Sequence, residues 1–169
     1  MADADSLFVA HQRDVFRYLS RIVGQMDAAR DLTQEVFLRA ARSGVPEGDV
    51  AGLRGWVFTI ARNIGLTYVR DSRRRPMVPA VTQVEPAVQE LAVAIDLALA
   101  ALDDVDRDVF LLREVAGLSY QEVAEACGLT PDAVRARLRR TRETLRESLD
   151  GSIRVQRNRF VTFSGDEGI

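Results

Sequence analysis

The chain has 169 residues, a formal net charge of −2, 47% hydrophobic and 28% charged residues, which is typical of a globular protein with one large or two small domains and excludes a disordered chain. All 23 basic residues are arginine, which excludes a Walker-type phosphate loop, a Schiff-base lysine and a pyridoxal site. The single cysteine excludes an intrachain disulfide, the single histidine argues against zinc, and no apolar run is long enough to span a bilayer.

The first half of the chain predicts three helices. The acidic start lacks the basic region of a secretory signal, so we expect a cytoplasmic protein without a membrane segment. The first stripe has Leu7, Phe8, Val15, Leu19 and Ile22 at roughly helical spacing and ends at Gly24. Asp27 is the expected N-cap of the second helix, and Pro46 with three glycines predicts a loop over 43–52. The third helix has one apolar face, listed here: Leu53, Trp56, Val57, Ile60, Ala61, Ile64 and Tyr68.

An arginine cluster, Arg70–Arg75, closes the third helix, and a proline-marked segment follows. Pro76, Pro79 and Pro86 interrupt a stretch with little charge, which we interpret as an extended linker between two domains. A surface loop within one domain is the alternative.

Charge is unevenly distributed in the second half of the chain: residues 85–132 hold eleven acids against two arginines, and residues 134–146 hold six arginines against one acid. Such sorting indicates discrete anion-binding patches on an acidic protein.

The second half predicts four helices, the last two of which form a helix-turn-helix. Leu91, Ile95, Leu99 and Leu102 mark the first, and the second covers about 106–116. Ser119 and Glu122 form a capping box for the third, and Thr130 with Pro131 begins the fourth, which Gly151 is expected to end. Ala124 is small enough for a helix crossing and Gly128 permits the turn. The shared core is expected to contain Val123, Cys127, Leu129, Val134 and Leu138.

The fourth helix of this half presents arginines to solvent, a pattern that suits the DNA major groove, which admits one α-helix. The alternative is a small helical bundle with a solvated basic face. We expect Cys127 and Trp56 to pack in the core rather than to act as a redox sensor or a base-stacking platform, and we assign His11 no role. The pattern of the tail, 152–169, fits a short strand, an amphipathic arm or disorder equally.

Three stretches resemble extracytoplasmic-function (ECF) RNA polymerase sigma factors over about residues 6–150. They are Asp31–Ala40, Leu53–Asn63 and Gly117–Arg142, in the family's order and spacing. The resemblance implies an all-α fold of two small helical domains joined by a flexible linker. Region 2 would occupy residues 1–75, the linker 76–88 and the region 4 helix-turn-helix 89–151, with a tail of unknown role at 152–169.

The same resemblance implies sites and partners. Core RNA polymerase would be bound through the β′ clamp helices and the β flap, with the β′ contacts at Asp31, Gln34, Glu35, Phe37 and Leu38. The −10 element would be bound by Arg62, Asn63, Tyr68, Arg70, Arg73 and Arg74, with the 43–52 loop helping to capture a flipped base. The −35 element would be bound by Thr130, Asp132, Arg135, Arg137, Arg139, Arg140 and Arg142. Promoter DNA and an anti-sigma protein are the other partners implied, with no cofactor and no metal.

Two other functions fit parts of the sequence. A stand-alone helix-turn-helix regulator would use only the second half and would not need the Asp31–Ala40 helix or the arginine-ended third helix. An enzyme would need a nucleophile–base pair, a phosphate loop or a metal-ligand set, and the sequence offers none of these. We therefore expect a non-enzymatic protein.

Overall fold

The computed structural model describes residues 2–72 and 86–163, and within these ranges every regular element is a helix. The helices are α1 (Ala4–Val23), α2 (Met26–Ser43), α3 (Arg54–Ser72), α4 (Pro86–Ala100), α5 (Asp104–Glu114), α6 (Tyr120–Cys127) and α7 (Pro131–Phe163). The predicted all-α class is confirmed. Most of the predicted linker, residues 76–85, lies outside the described residues.

Helices α1, α2 and α3 pack on one another and form what we call the N-terminal module. Asp3 caps α1 by accepting a hydrogen bond from the Ser6 amide at 2.7 Å, and Gly24 ends it with a left-handed φ of 69°. The core of this module is apolar and aromatic, because fully buried side chains of all three helices meet there. Its largest members are Tyr18, Phe58, Leu7, Leu19, Val15, Val36 and Val57.

Two details of this module differ from the sequence-based expectation. The N-cap of α2 is Gln25, and Asp27 lies in the first turn, where it pairs with Arg30. Phe58 lies outside the predicted stripe of α3 yet is fully buried, with its ring edge-on to Tyr18 at a centroid distance of 5.7 Å. The reason is that α3 packs on α6 as well as on α1 and α2, so its buried face is wider than one stripe.

Helices α4 to α7 form the C-terminal module, in which α7 packs on α4, α5 and α6. The predicted capping box is confirmed: Ser119 accepts from the Glu122 amide, and the Glu122 carboxylate accepts from the Ser119 amide at 2.7 Å. Gly128 adopts the left-handed conformation that the turn requires, with a φ of 65°. The Thr130 hydroxyl accepts from the Ala133 amide at 3.2 Å and so starts α7 as predicted.

The ends of α4, α5 and α7 correct the predicted boundaries. Asp103 caps α5, which therefore starts at Asp104, two residues before the predicted start. Pro86 is the first residue of α4, so residues 86–88 of the predicted linker are helical. Gly151 does not end α7, which continues to Phe163. A glycine inside a helix lowers helix stability by only about 1 kcal/mol relative to alanine, which is not enough to end the helix.

The burial of Leu19 generates a stability prediction. Leu19 is fully buried whereas Leu38, in the same module, is 50% exposed. Leu19→Ala is expected to lower the free energy of unfolding by about 2–5 kcal/mol, because it removes buried methyl groups and leaves a cavity. The matched control, Leu38→Ala, should change it by less than about 0.5 kcal/mol. Urea denaturation followed by circular dichroism measures both, and equal effects would contradict the assigned core.

Candidate nucleic-acid interface

The helix-turn-helix consists of α6, a turn at residues 128–130 and the start of α7. Its inner surface is closed by Val123, Ala124, Val134 and Leu138, all of which are buried. Val134, Leu138, Thr141 and Leu145 form the inward stripe of α7, so positions 135, 136, 139, 140 and 142 face solvent. This geometry turns an arginine-rich side of α7 outward, as the sequence predicts.

The arginines of α7 fall into two groups. Arg139 and Arg140 are exposed, and their guanidinium groups form no ion pair among the described residues. Arg135 is exposed but pairs with Asp132 in the first turn of the helix, and its guanidinium carbon lies 5.4 Å from the centre of the Tyr120 ring. Thr130 and Asp132 are also exposed at this end of the helix.

The second group is held by the acidic helix α5. Arg137 donates to Asp106 at 2.6 Å, and Arg142 pairs with Glu114. The hydrogen bond to Glu114 raises the pKa of Arg142, so this guanidinium stays charged. The structure therefore brings all seven predicted −35 residues to one helix and its start. Three of the arginines pair with acids of the same module: Arg135 with Asp132 on α7 itself, and Arg137 and Arg142 with acids of α5.

The predicted polymerase-binding residues lie on α2, but they do not all face solvent. Asp31, Gln34 and Leu38 are exposed, and Glu35 pairs with Arg39 one turn later at 3.2 Å. Phe37 is corrected to a packing residue: it is 6% exposed, and its ring lies edge-on to Phe8 at 5.1 Å. The reason is that residues 33, 36, 37 and 40 form the inward stripe of α2.

The predicted −10 residues lie along α3 in different surroundings. Asn63 is exposed, and Arg70 is exposed beside Asp71 at 3.6 Å. Tyr68 is half-buried, and its hydroxyl donates to the Gln25 side chain, just before α2, at 3.4 Å. Arg73 and Arg74 lie outside the described residues. Arg62 is the exception in this set, because a carboxylate of the C-terminal module holds it.

That carboxylate is Asp108 on α5, which is 3% exposed. It accepts a 2.6 Å hydrogen bond from the Tyr18 hydroxyl and a second from Arg62 Nε. Burial and then the nearby carboxylate raise the pKa of Tyr18 well above its usual value, so the hydroxyl stays protonated and donates. Burial alone would lower the pKa of Arg62, but Asp108, together with Cys127 and Tyr18, more than offsets this, and the net direction is upward.

Asp108 and Tyr18 were not among the predicted site residues. The available indication was an acid within the inward face of α5, between Val105 and Leu112 at three and four residues, where an apolar residue is the usual choice. His11, to which no role was assigned, is also a structural residue. It is 7% exposed, and its Nε2–H donates to the Val50 carbonyl at 3.0 Å, which ties α1 to the 43–52 loop.

A cleft of about 560 Å³ separates the exposed part of α3 from the start of α5. Its lining includes the predicted DNA-binding residues Arg62, Asn63 and Arg70. Within the described residues, no three histidine, cysteine or acidic side chains are grouped so that they could hold a metal ion. None of the described helices is both long and apolar enough to cross a membrane.

A helix-turn-helix with an arginine-rich second helix, beside a helical module bearing further arginines, defines a class of DNA-binding protein. Comparison with known proteins narrows the class. The Sigma-70 region 2 family model matches residues 7–75, and the Sigma-70 region 4 model matches residues 92–145. The chain is 30% identical over 150 residues to the ECF RNA polymerase sigma factor SigC of Mycobacterium tuberculosis, covering 83% of this chain and 80% of that protein. The chain belongs to the ECF RNA polymerase sigma factor family.

Other relatives differ in length. The chain is 30% identical over 170 residues to the probable ECF RNA polymerase sigma factor SigI of M. tuberculosis, and the match covers 90% of this chain but 58% of SigI. Among solved structures, the sigma factor RpoE from Bartonella quintana, in complex with the anti-sigma factor NepR, is similar with a TM-score of 0.67 at 22% identity. That match covers 85% of this chain and 94% of RpoE. These findings confirm the region 2 and region 4 folds.

The environment of Cys127 generates a prediction about pH. Burial and then Asp108 raise the pKa of this thiol from 9.0 to about 11. At pH 8 about one thiol in a thousand is then ionised, so iodoacetamide should alkylate the folded chain roughly 100-fold more slowly than the urea-unfolded chain. Because the folded state binds the proton more tightly, folding stability should fall as pH rises from 9.0 to about 11. Equal alkylation rates at pH 8 would contradict this placement of Cys127.

Proposed function

We propose that this protein binds core RNA polymerase and directs it to promoters by contacting the −35 and −10 elements. One observation carries the proposal: one chain holds both modules that the family models match, and the exposed side of the helix-turn-helix carries arginines. Sigma factors of this family are initiation factors, and the catalysis of RNA synthesis belongs to the polymerase. The contribution of this chain is therefore binding without covalent chemistry.

The C-terminal module reads duplex DNA. The start of α7 enters the major groove, where Arg135 is placed to contact base edges near Thr130 and Asp132. Arg139 and Arg140, which form no ion pair among the described residues, contact phosphates and fix the register. Arg137 and Arg142 join them when they exchange Asp106 and Glu114 for phosphates. A guanidinium suits both roles, because its planar set of donors matches guanine and phosphate oxygens.

The N-terminal module traps opened DNA. Asn63, Tyr68 and Arg70 lie in order along α3, and Arg62 completes the set when it is released from Asp108. Unpaired bases stack on aromatic rings and hydrogen-bond along their edges, while arginines hold the backbone. Trapping these bases favours melting, which costs about a few kcal/mol for each unstacked base. We expect the 43–52 loop, which His11 anchors to α1, to receive a flipped base.

Helix α2 anchors the protein to polymerase through Asp31, Gln34, Glu35 and Leu38. Polar side chains at helical spacing beside one exposed leucine suit a partner helix such as those of the β′ clamp.

An anti-sigma protein is a second partner, in keeping with the regulated members of the family. The cytoplasm is the compartment in which these partners meet. The β flap contact of region 4 belongs to the same proposal.

Transcription in vitro tests the main proposal. Core polymerase with this protein should start RNA at defined sites on genomic fragments from the source organism, whereas core alone should not. If the start sites are the same with and without the protein, the proposal fails. A regulator that acts alone would instead shift a specific DNA fragment on a gel at the same concentration in the absence of core polymerase.

Replacing arginines of α7 separates specificity from affinity. Arg135→Ala is expected to lower discrimination at one −35 base pair by about 1–3 kcal/mol, since a bidentate base contact is lost. A phosphate contact has a different signature: Arg140→Ala should weaken binding to all sequences alike and reduce the slope of log affinity against log salt by about 1. Competition binding by the polymerase holoenzyme at several salt concentrations measures both. Neither variant should change the affinity for core polymerase.

Replacing the exposed polar residues of α2 should have the opposite effect. The double variant Gln34→Ala with Glu35→Ala is expected to weaken binding to core polymerase about tenfold or more, because it truncates two neighbouring contacts at the interface. The matched control is Asp5→Asn, an exposed acid on α1. Affinity is measured by fluorescence anisotropy with labelled protein. Wild-type affinity of the folded double variant would show that α2 is not the docking helix.

A further inference from the structure

His11 occupies a position on α1 where an apolar side chain is the usual choice. It lies one helical turn from Leu7 and one turn from Val15, both of which are fully buried, and it is itself buried with them. Burying a ring nitrogen is costly unless that nitrogen is hydrogen-bonded. The hydrogen bond that satisfies it reaches the 43–52 loop, so this histidine serves the loop as well as the core.

The hydrogen bond joins two points that are far apart in the sequence. His11 Nε2 lies 3.0 Å from the carbonyl oxygen of Val50, which is 39 positions further along the chain. A carbonyl oxygen only accepts, so Nε2 carries the proton in this bond. An apolar side chain at position 11 could fill the same space, but it would leave the Val50 carbonyl without this donor.

The two ends of the loop are shaped by local hydrogen bonds. The Gly52 amide donates to the Asp49 carboxylate at 2.6 Å, and a Cβ atom at Gly52 would lie only 2.8 Å from that oxygen, so the turn into α3 favours glycine. At the other end, Gly44 has a left-handed φ of 74°, and its amide donates to the Ala41 carbonyl at 3.4 Å. Each of these bonds joins residues three positions apart, so they shape the turns without fixing the loop against α1.

The middle of the loop is exposed between two apolar anchors. Residues 46–49 face solvent, whereas Val45 and Val50 on either side are partly buried and pack against core side chains. Apolar contacts are not directional, so they hold the loop near the module without fixing how its backbone is turned. A hydrogen bond has a preferred length and angle, so His11 fixes the orientation of the Val50 peptide and the course of the exposed residues before it.

We propose that His11 is a positioning residue for promoter recognition: by holding the Val50 carbonyl, it keeps the 43–52 loop in the arrangement that accepts the preferred −10 base. This inference rests on the proposed function, and it assigns base selectivity to a buried residue beneath the loop. A loop that is already ordered loses less conformational entropy when it receives a base. A loose loop adapts to other bases, so losing the bond lowers selectivity and leaves polymerase binding unchanged.

Two replacements of His11 separate its hydrogen bond from its volume. His11→Leu keeps a side chain of similar size without a donor, whereas His11→Gln carries an amide N–H at a similar distance from the backbone. Polymerase holoenzyme with each variant is assayed on a promoter panel in which each −10 base pair is replaced in turn. We expect His11→Leu to lower the preference for the best base at one −10 position about tenfold, and His11→Gln to retain it within about threefold.

The readout is the ratio of initiation rates on the preferred and the altered promoter at limiting holoenzyme. A loss of folded protein lowers both rates equally and leaves their ratio unchanged, so the ratio separates positioning from stability. Gln12→Leu, at the exposed neighbouring position of α1, is the matched control for the introduced leucine. Leu19→Ala is the control for stability, because it opens a cavity in the same module and keeps the His11 donor. Both controls should keep the wild-type ratio.

A measurement on the wild-type chain tests the hydrogen bond itself and does not depend on whether the variants fold. The chain has one histidine, so isotope-labelled histidine gives one set of imidazole signals in a nuclear magnetic resonance spectrum. We expect the proton on Nε2, exchanging with water about tenfold or more slowly than that of free histidine because the bond protects it.

The results separate this inference from the proposed function. An unchanged base preference in folded His11→Leu would overturn the positioning role and leave the sigma function intact. Equal losses in the leucine and glutamine variants, or in Leu19→Ala, would also overturn it, because the donor would then not be the cause. So would an unprotonated or unprotected Nε2 in the wild-type chain. If wild-type holoenzyme starts no RNA at defined promoters, the proposed function fails, and this inference fails with it.

Discussion

The arrangement of the modules depends on one buried carboxylate. Asp108 lies on α5 with 3% of its surface exposed, and a charge in that position is tolerated only when donors surround it. The donors come from α1 and α3, so satisfying Asp108 requires these helices to lie against α5. Removing either donor would leave one oxygen of the buried carboxylate without its hydrogen bond. The cost of that loss makes the contact specific even though its net stabilisation is small.

Helix α5 is an acidic element between two arginine-bearing helices. Asp108 faces α3, while Asp106 and Glu114 face α7. This arrangement explains how a chain with a net charge of −2 belongs to a family of DNA-binding proteins. Acids of α5 pair with arginines of α3 and α7, so the net charge of the chain does not describe the charge of each surface.

The ion pairs differ in solvent exposure, and only the buried ones hold helices together strongly. The Arg70–Asp71 pair has both side chains more than half exposed, and water screens most of its attraction. The Arg62–Asp108 pair is almost enclosed, so solvent does little to weaken it and each partner depends on the other. The exposed arginines of α3 and α7 therefore present their guanidinium groups to solvent, whereas Arg62 is held by Asp108.

The sequence by itself determined the helices, the capped helix-turn-helix and the family, because caps, glycine turns and apolar periodicity are local properties. Ser119, Gly128 and Thr130 have their predicted roles for this reason. Only the tertiary structure decided which side chains are buried and which elements they contact. Phe37 and Phe58 are buried, and His11 holds the 43–52 loop. Helix α7 continues past Gly151, and Asp108 joins the two modules. Residues separated by 90 positions, such as Tyr18 and Asp108, meet only through packing, and no local pattern encodes that meeting.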